Sequence, residues 1–193
     1  KAIRWAEKAE IPVVNAGDGW KPDEMSEDEA LAILKQRLKE ILEAAEKCEV
    51  YLAIEPHGTF SLTAKGLKKI MALSTSEWLG INYDTANVHR ATYVETRGGA
   101  YSWKMFGERQ DEVATLSEVV DKVRHVHVKD VIGATCVALG KGEVNIEGCL
   151  RILKEHGYDG VISVETEGEF TADEGQKLIE ESRAYLIQTL KKI

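Results

Sequence analysis

The segment VYLAIEPHG (residues 50–58) decides the fold, because five apolar residues run without interruption into Glu55, Pro56, His57 and Gly58. A short apolar run of this kind marks a strand buried on both faces, and its polar end marks where the strand opens into a loop. The pattern recurs outward along the chain. IPVVNA (11–16) is closed by Gly17 and Gly19, and LGINYDTANV (79–88), VRHVHVKD (123–130) and GVISVETEG (160–168) repeat the apolar run with polar residues at its end. Stretches rich in Ala, Leu, Glu and Lys follow these segments near 26–48, 63–74, 110–121, 146–156 and 172–192, and a helical segment precedes the first strand. Five strands alternating with helices predict a parallel sheet covered by helices, since each return to a parallel neighbour needs a crossover.

Two parallel architectures fit that alternation, an open doubly wound sheet and a (β/α)₈ barrel. The polar residues decide between them: Glu55, Asp84, His127 and Glu165 each fall at or near the C-terminal end of a different strand, where barrel enzymes assemble their sites. No GxGxxG or GxxxxGK run follows any strand, so the phosphate cradle of nucleotide-binding open sheets is missing. A complete (β/α)₈ barrel needs about 250 residues. The expectation is therefore a single (β/α)-barrel domain over residues 1–193 that is N-terminally incomplete and supplies the C-terminal five βα units. The missing strands are expected in a longer parent chain or another subunit, because raw sheet edges invite association. The longest irregular stretch, 89–109, is expected to be functional.

Composition narrows the function. With 44% hydrophobic and 30% charged residues the chain resembles an ordinary soluble globular protein, and no apolar run approaches the ~20 residues that span a bilayer. KAIRWAEKAE (1–10) lacks the apolar core and cleavage site of a signal peptide, so a cytoplasmic protein is expected. The net charge of −8 repels phosphate backbones and disfavours a nucleic-acid partner, while leaving room for a small uncharged ligand or a cation held by carboxylates. Cys48, Cys136 and Cys149 are widely spaced with no CxxC pair, and read as reduced, packed thiols.

Three carboxylates and an imidazole at four strand ends form a ligand set for a hard or borderline divalent ion, with Mn²⁺ the leading expectation and Mg²⁺, Co²⁺ or Zn²⁺ as alternatives. Burying one unpaired carboxylate costs several kcal/mol, and a shared cation removes that cost. Taken singly, each residue reads first as a solvated or salt-bridged loop-edge group, and only the set of four points to a shared ion.

IEPHG (54–58), NYDTANV (82–88), HVHVKD (125–130), GKGEVNIEGCLRILKEHGYDG (140–160) and VISVETEG (161–168) resemble, in order and type, the last strand motifs of the xylose isomerase-like family of sugar isomerases and epimerases. The resemblance implies metal ligation by Glu55, Asp84, His127 and Glu165. It implies a metal-dependent isomerase or epimerase of a keto-sugar or cyclitol acting through an enediolate, with Glu55 and Glu165 moving the proton on opposite sides of the substrate. The same intermediate could expel a β-hydroxyl, which makes a dehydratase or other lyase the alternative. Trp20, His57, Asn87, Lys129 and Asp130 are the expected substrate contacts.

Two positions depart from the epimerase pattern. Asn87 stands where those members often carry the His of DxxH, and Val131, Ile132 and Gly133 stand where several carry an Arg. Endonuclease-like DNA repair, which shares the barrel, needs further His and Asp ligands that Asn87 and the segment after Lys129 do not supply. A non-catalytic subunit is a further alternative. His89 is expected to reach the site from its loop, His125 to be a deeper hydrogen-bonded histidine and His156 to be a surface helix cap; for Trp20 and Trp103, in strand-end loops, ordinary packing is the alternative to stacking on a sugar ring.

Overall fold

A computed structural model describes residues 1–95, 102–105 and 108–193, with residues 92–95 and 102–105 described by backbone alone. Helix α1 (Ala2–Lys8) leads into β1 (Val13–Gly17) and the long α2 (Glu27–Cys48). Strand β2 (Tyr51–Glu55), α3 (Ala64–Met71), β3 (Leu79–Asp84) and the short α4 (Thr85–Arg90) follow. Then come β4 (Thr92–Glu95), β5 (Ser102–Met105), α5 (Glu112–Ser117), β6 (Val123–Val128), β7 (Asp130–Ile132), β8 (Thr135–Val137), α6 (Ile146–Glu155), β9 (Ile162–Val164) and α7 (Ala172–Lys192). A five-stranded sheet runs in the order β1-β2-β3-β6-β9, with β1–β2, β2–β3 and β6–β9 paired in parallel. These are the five expected strands, and the α/β class is that of the expected partial barrel.

The helices begin where their caps dictate. Ser26 and Thr171 form capping boxes with Glu29 and Glu174, while Thr63, Asp111 and Asn145 each accept the N–H three residues on. Asp84 does the same for Asn87, so β3 stops at Asp84 and a helix begins where the sequence pattern had continued the strand to residue 88. Two antiparallel hairpins, β4–β5 and β7–β8, also went unanticipated. The first lies inside the stretch expected to be irregular. The second starts at Asp130, so the strand expected over 123–130 ends at Val128.

Two compact units divide the chain, one of residues 1–83 with 122–125, the other of 84–121 with 126–193. The core of the first gathers Ile3, Ala6, Leu38, Leu42, Ala45, Val50, Leu52, Ile54, Ile70 and Leu79. Each Ile, Leu and Val among them contributes about 1.5–3 kcal/mol by leaving water. At its margin the Arg124 guanidinium lies 5.1 Å from the Tyr51 ring centre, and Trp78 packs 4.9 Å from the same ring. In the second unit the apolar face of α6 (Ile146, Cys149, Leu150, Leu153) is buried, as are Val126 and Val128 of β6. The three cysteines are free, Cys136 and Cys149 buried and Cys48 half-buried, as expected of packed thiols. Among the described residues no helix is long and apolar enough to cross a membrane.

Candidate metal and catalytic site

In the first unit Gly17 of β1 pairs with Glu55 of β2, so the two strand ends are level. Glu55 is 9% exposed, and its Oε2 accepts a hydrogen bond from Asn15 Nδ2 at 2.6 Å. The loops that follow these strands are stitched together. Asp18 accepts the Ser61 hydroxyl at 2.5 Å and the Phe60 N–H at 2.7 Å, and Gly19 O accepts the Thr59 N–H at 3.1 Å. Burial pushes the Asp18 carboxyl above its usual value against the pull of those hydrogen bonds. Asp18, Trp20, Pro22, Met25 and Phe60 line a pocket of about 360 Å³, and Trp20 is 44% exposed at its edge. His57 is half-buried, and its backbone N–H donates to Ser61 Oγ.

The second unit holds a cluster of buried charges around Lys129. Its β6–β9 register places His127 opposite Ser163 and Val128 opposite Val164, so the pair one step on is Lys129 and Glu165. Strand alternation puts His127, Lys129, Ser163 and Glu165 on one face. There Asp84, His127 and Glu165 each offer a ligand atom, and these lie within 4.8 Å of one another. His127 Nδ1 stands 3.1 Å from Glu165 Oε2. The Lys129 ammonium, 0% exposed, reaches Asp84 at 2.9 Å, Glu165 at 3.3 Å and Glu167 at 2.8 Å. Thr85 fixes Lys129 from behind, its hydroxyl donating to Lys129 O at 2.9 Å and accepting the Lys129 N–H at 3.0 Å.

The electrostatics follow from burial set against this network. Burial pushes the Asp84 carboxyl up, opposed by the Lys129 ammonium. Burial would also raise Glu165, but hydrogen bonds to His127 and Asp84 and the charge of Lys129 outweigh it and hold Glu165 at about 2. For Lys129 burial favours the neutral amine, and the three surrounding carboxylates reverse that and keep it charged.

A family model described as xylose isomerase-like TIM barrel matches residues 1–189. The chain belongs to the xylose isomerase-like TIM barrel family. An uncharacterised protein of Methanocaldococcus jannaschii is 28% identical over 188 residues, which is 93% of this chain and 59% of that relative, so the chain spans about three fifths of its length. Among solved structures, a D-tagatose 3-epimerase-like protein superposes with a TM-score of 0.77 at 26% identity, over 99% of this chain and 68% of that one. The IOLI protein, solved with a bound zinc atom, superposes with a TM-score of 0.73 at 17% identity, over 99% of this chain and 67% of that one. Epimerases and dehydratases both occur among the solved neighbours of this fold.

Within this xylose isomerase-like chain, three of the four expected ligands, Asp84, His127 and Glu165, come together in one unit. Two expected substrate contacts have other partners. Lys129 is wholly enclosed by carboxylates. Asp130 is 0% exposed and accepts four backbone N–H groups, from Val131 at 2.9 Å and Val144 at 3.1 Å on one oxygen and from Gly140 and Gly142 at 2.9 Å on the other. Asp130 therefore organises the loop before α6. Asn87, 2% exposed, caps into Asp84 through its N–H and takes Arg90 Nη2 on its Oδ1 at 3.5 Å. His89 pairs with Glu112 at 2.8 Å, and its other ring nitrogen lies 3.9 Å from Glu143. His125 is half-buried, and His156 caps α6 as expected. The side chain of Trp103 lies outside the described residues. Sequence reasoning missed Asn15, Glu167 and Arg90. The parity of Glu165 and Glu167 along GVISVETEG was a signal for the second of these.

Proposed function

We propose that this chain carries the site of a metal-dependent isomerase or epimerase acting on a keto-sugar or cyclitol. The observation that carries the reading is the meeting of Asp84, His127 and Glu165. Two carboxylates and an imidazole with ligand atoms within 4.8 Å fit a hard to borderline divalent ion, of which Mn²⁺ is the first choice. Glu55 is the proposed fourth ligand. The β2–β3 register pairs Ile54 with Ile81, so Glu55 is level with Asn82, two residues before Asp84 on the same strand face. When bound, such an ion supplies Lewis acidity to a carbonyl and its neighbouring hydroxyl, which acidifies the adjoining C–H.

The protein groups divide the remaining work. Glu55 and Glu165 take and return the proton, with Asn15 orienting Glu55 and His127 and Lys129 keeping Glu165 ionised. Trp20 and His57 are proposed to meet the sugar, and Asn87 to supply a hydrogen bond where a base is not needed. Lys129 and Asp130 act one layer behind. The chain is proposed to form a partial (β/α)-barrel domain working in the cytoplasm on a small carbohydrate.

The test is solvent isotope exchange. In D₂O the protein is expected to exchange deuterium into its keto-sugar at the carbon beside the carbonyl, and Glu165→Gln to lower turnover by roughly 10²–10⁴-fold, as for a lost general base. Unchanged activity in both Glu165→Gln and Glu55→Gln would remove the proton-transfer assignment. Absence of stoichiometric divalent metal in protein purified without chelator would remove the metal. A dehydratase is the second reading, favoured by Asn87 standing where epimerases often place a histidine; net loss of water without exchange into recovered substrate is its signature.

A further inference from the structure

A wholly buried ammonium amid carboxylates that are fit to bind a metal is an electrostatic oddity. Here Lys129 Nζ contacts Asp84 and Glu165, both members of the ligand group, and also Glu167, which is not one of them. Its backbone is locked at both N–H and C=O by Thr85, so the side chain is aimed rather than drifting. Arg90, 4% exposed, adds a second cation 3.9 Å from Glu167.

We propose that Lys129 is a resident cation of the carboxylate cluster: it holds Asp84, Glu165 and Glu167 together when no metal is bound, and it opposes the entering ion. The ion-competition half of this rests on the metal reading above, while the cluster-holding half does not. The three carboxylates outweigh Lys129 and Arg90 by one negative charge. Removing the ammonium leaves a surplus of negative charge buried in the metal-free protein and a stronger attraction for any cation that arrives.

The experiment compares the parent protein with Lys129→Met, which keeps the aliphatic stem without the charge, and with the double variant Lys129→Met/Glu167→Gln, which also deletes the most closely held carboxylate charge. Each is stripped with chelator, melted, and titrated calorimetrically with Mn²⁺. The metal-free single variant is expected to melt roughly 10 °C below the parent, in keeping with a broken buried ion pair in a chain of this size. The double variant recovers most of that loss. The single variant is expected to bind Mn²⁺ about tenfold or more tightly than the parent. Equal melting of metal-free parent and single variant overturns the proposal, and so does a double variant no more stable than the single one. Should Lys129→Met fail to fold, folding of the double variant still decides the matter. Weaker Mn²⁺ binding by a normally folded Lys129→Met would overturn the competition and leave Lys129 as a scaffold for the ligands. A parent that binds no Mn²⁺ sinks the metal reading, while the two melting comparisons still judge Lys129.

Discussion

Replacing Asp130 by Asn tests whether this residue organises a loop or meets a substrate. Both carboxylate oxygens are occupied, Oδ1 by the N–H groups of Val131 and Val144 and Oδ2 by those of Gly140 and Gly142, all within 3.1 Å. An amide of the same shape keeps one acceptor and turns an NH₂ toward the other pair of donors. Two backbone N–H groups then lose their partner, at about 1–3 kcal/mol each, or about 2–6 kcal/mol in all. For a domain of this size that corresponds to a melting point lower by roughly 5–20 °C. Thermal unfolding followed by circular dichroism reads the loss directly. A substrate contact would behave differently, with an altered KM and an unaltered melt. A melting point within about 2 °C of the parent, whatever happens to KM, would refute the loop-anchor account.

Two further substitutions bear on the same arguments. Asn15→Ala removes the donor to Glu55 Oε2; since hydrogen bonds to charged groups contribute about 1.5–3 kcal/mol, turnover is expected to fall at least about tenfold. Asn15 is itself exposed, so the melting point should barely move, and a parallel loss of stability would indicate a structural role instead. Gly142→Ala puts a methyl group 2.1 Å from Asp130 Oδ1 and 2.5 Å from Val131 O, so it should destabilise the chain through the same loop as Asp130→Asn. A melt of Gly142→Ala like that of the parent would show that this loop yields easily.

Much of the fold was legible because the central strands are buried. All six residues of β3 are buried, and a strand enclosed on both faces is mostly apolar up to its polar end, which makes it stand out against helical periodicity. What escaped was local competition at strand ends. Asp84 has the side chain of a helix cap as well as of a ligand, and its acceptance of the Asn87 N–H turned NYDTANV from a long strand into a strand and a helix. The two hairpins were hidden for a related reason. Strands of three or four residues carry too few positions for alternation to register.

The candidate site divides along the same line. Asp84, His127 and Glu165 were readable because each is a polar residue at the end of an apolar run. Lys129 and Asp130 carry that signal equally well, yet the structure gives them neighbours that no one-dimensional pattern specifies. Lys129 continues the parity of His127 and turns onto the face where the carboxylates gather. Asp130, one residue on, points the other way and is consumed by backbone donors from residues 131–144. Alternation alone separates two adjacent charged residues into a cation inside the site and an anion inside a loop. The charge beside Asp84 and Glu165 is thus set in part by Lys129 and Glu167, which lie outside that ligand group. Mutations at Lys129 should accordingly alter both metal affinity and the stability of the metal-free protein, whereas mutations at Asp130 should act on stability and leave metal affinity largely unchanged.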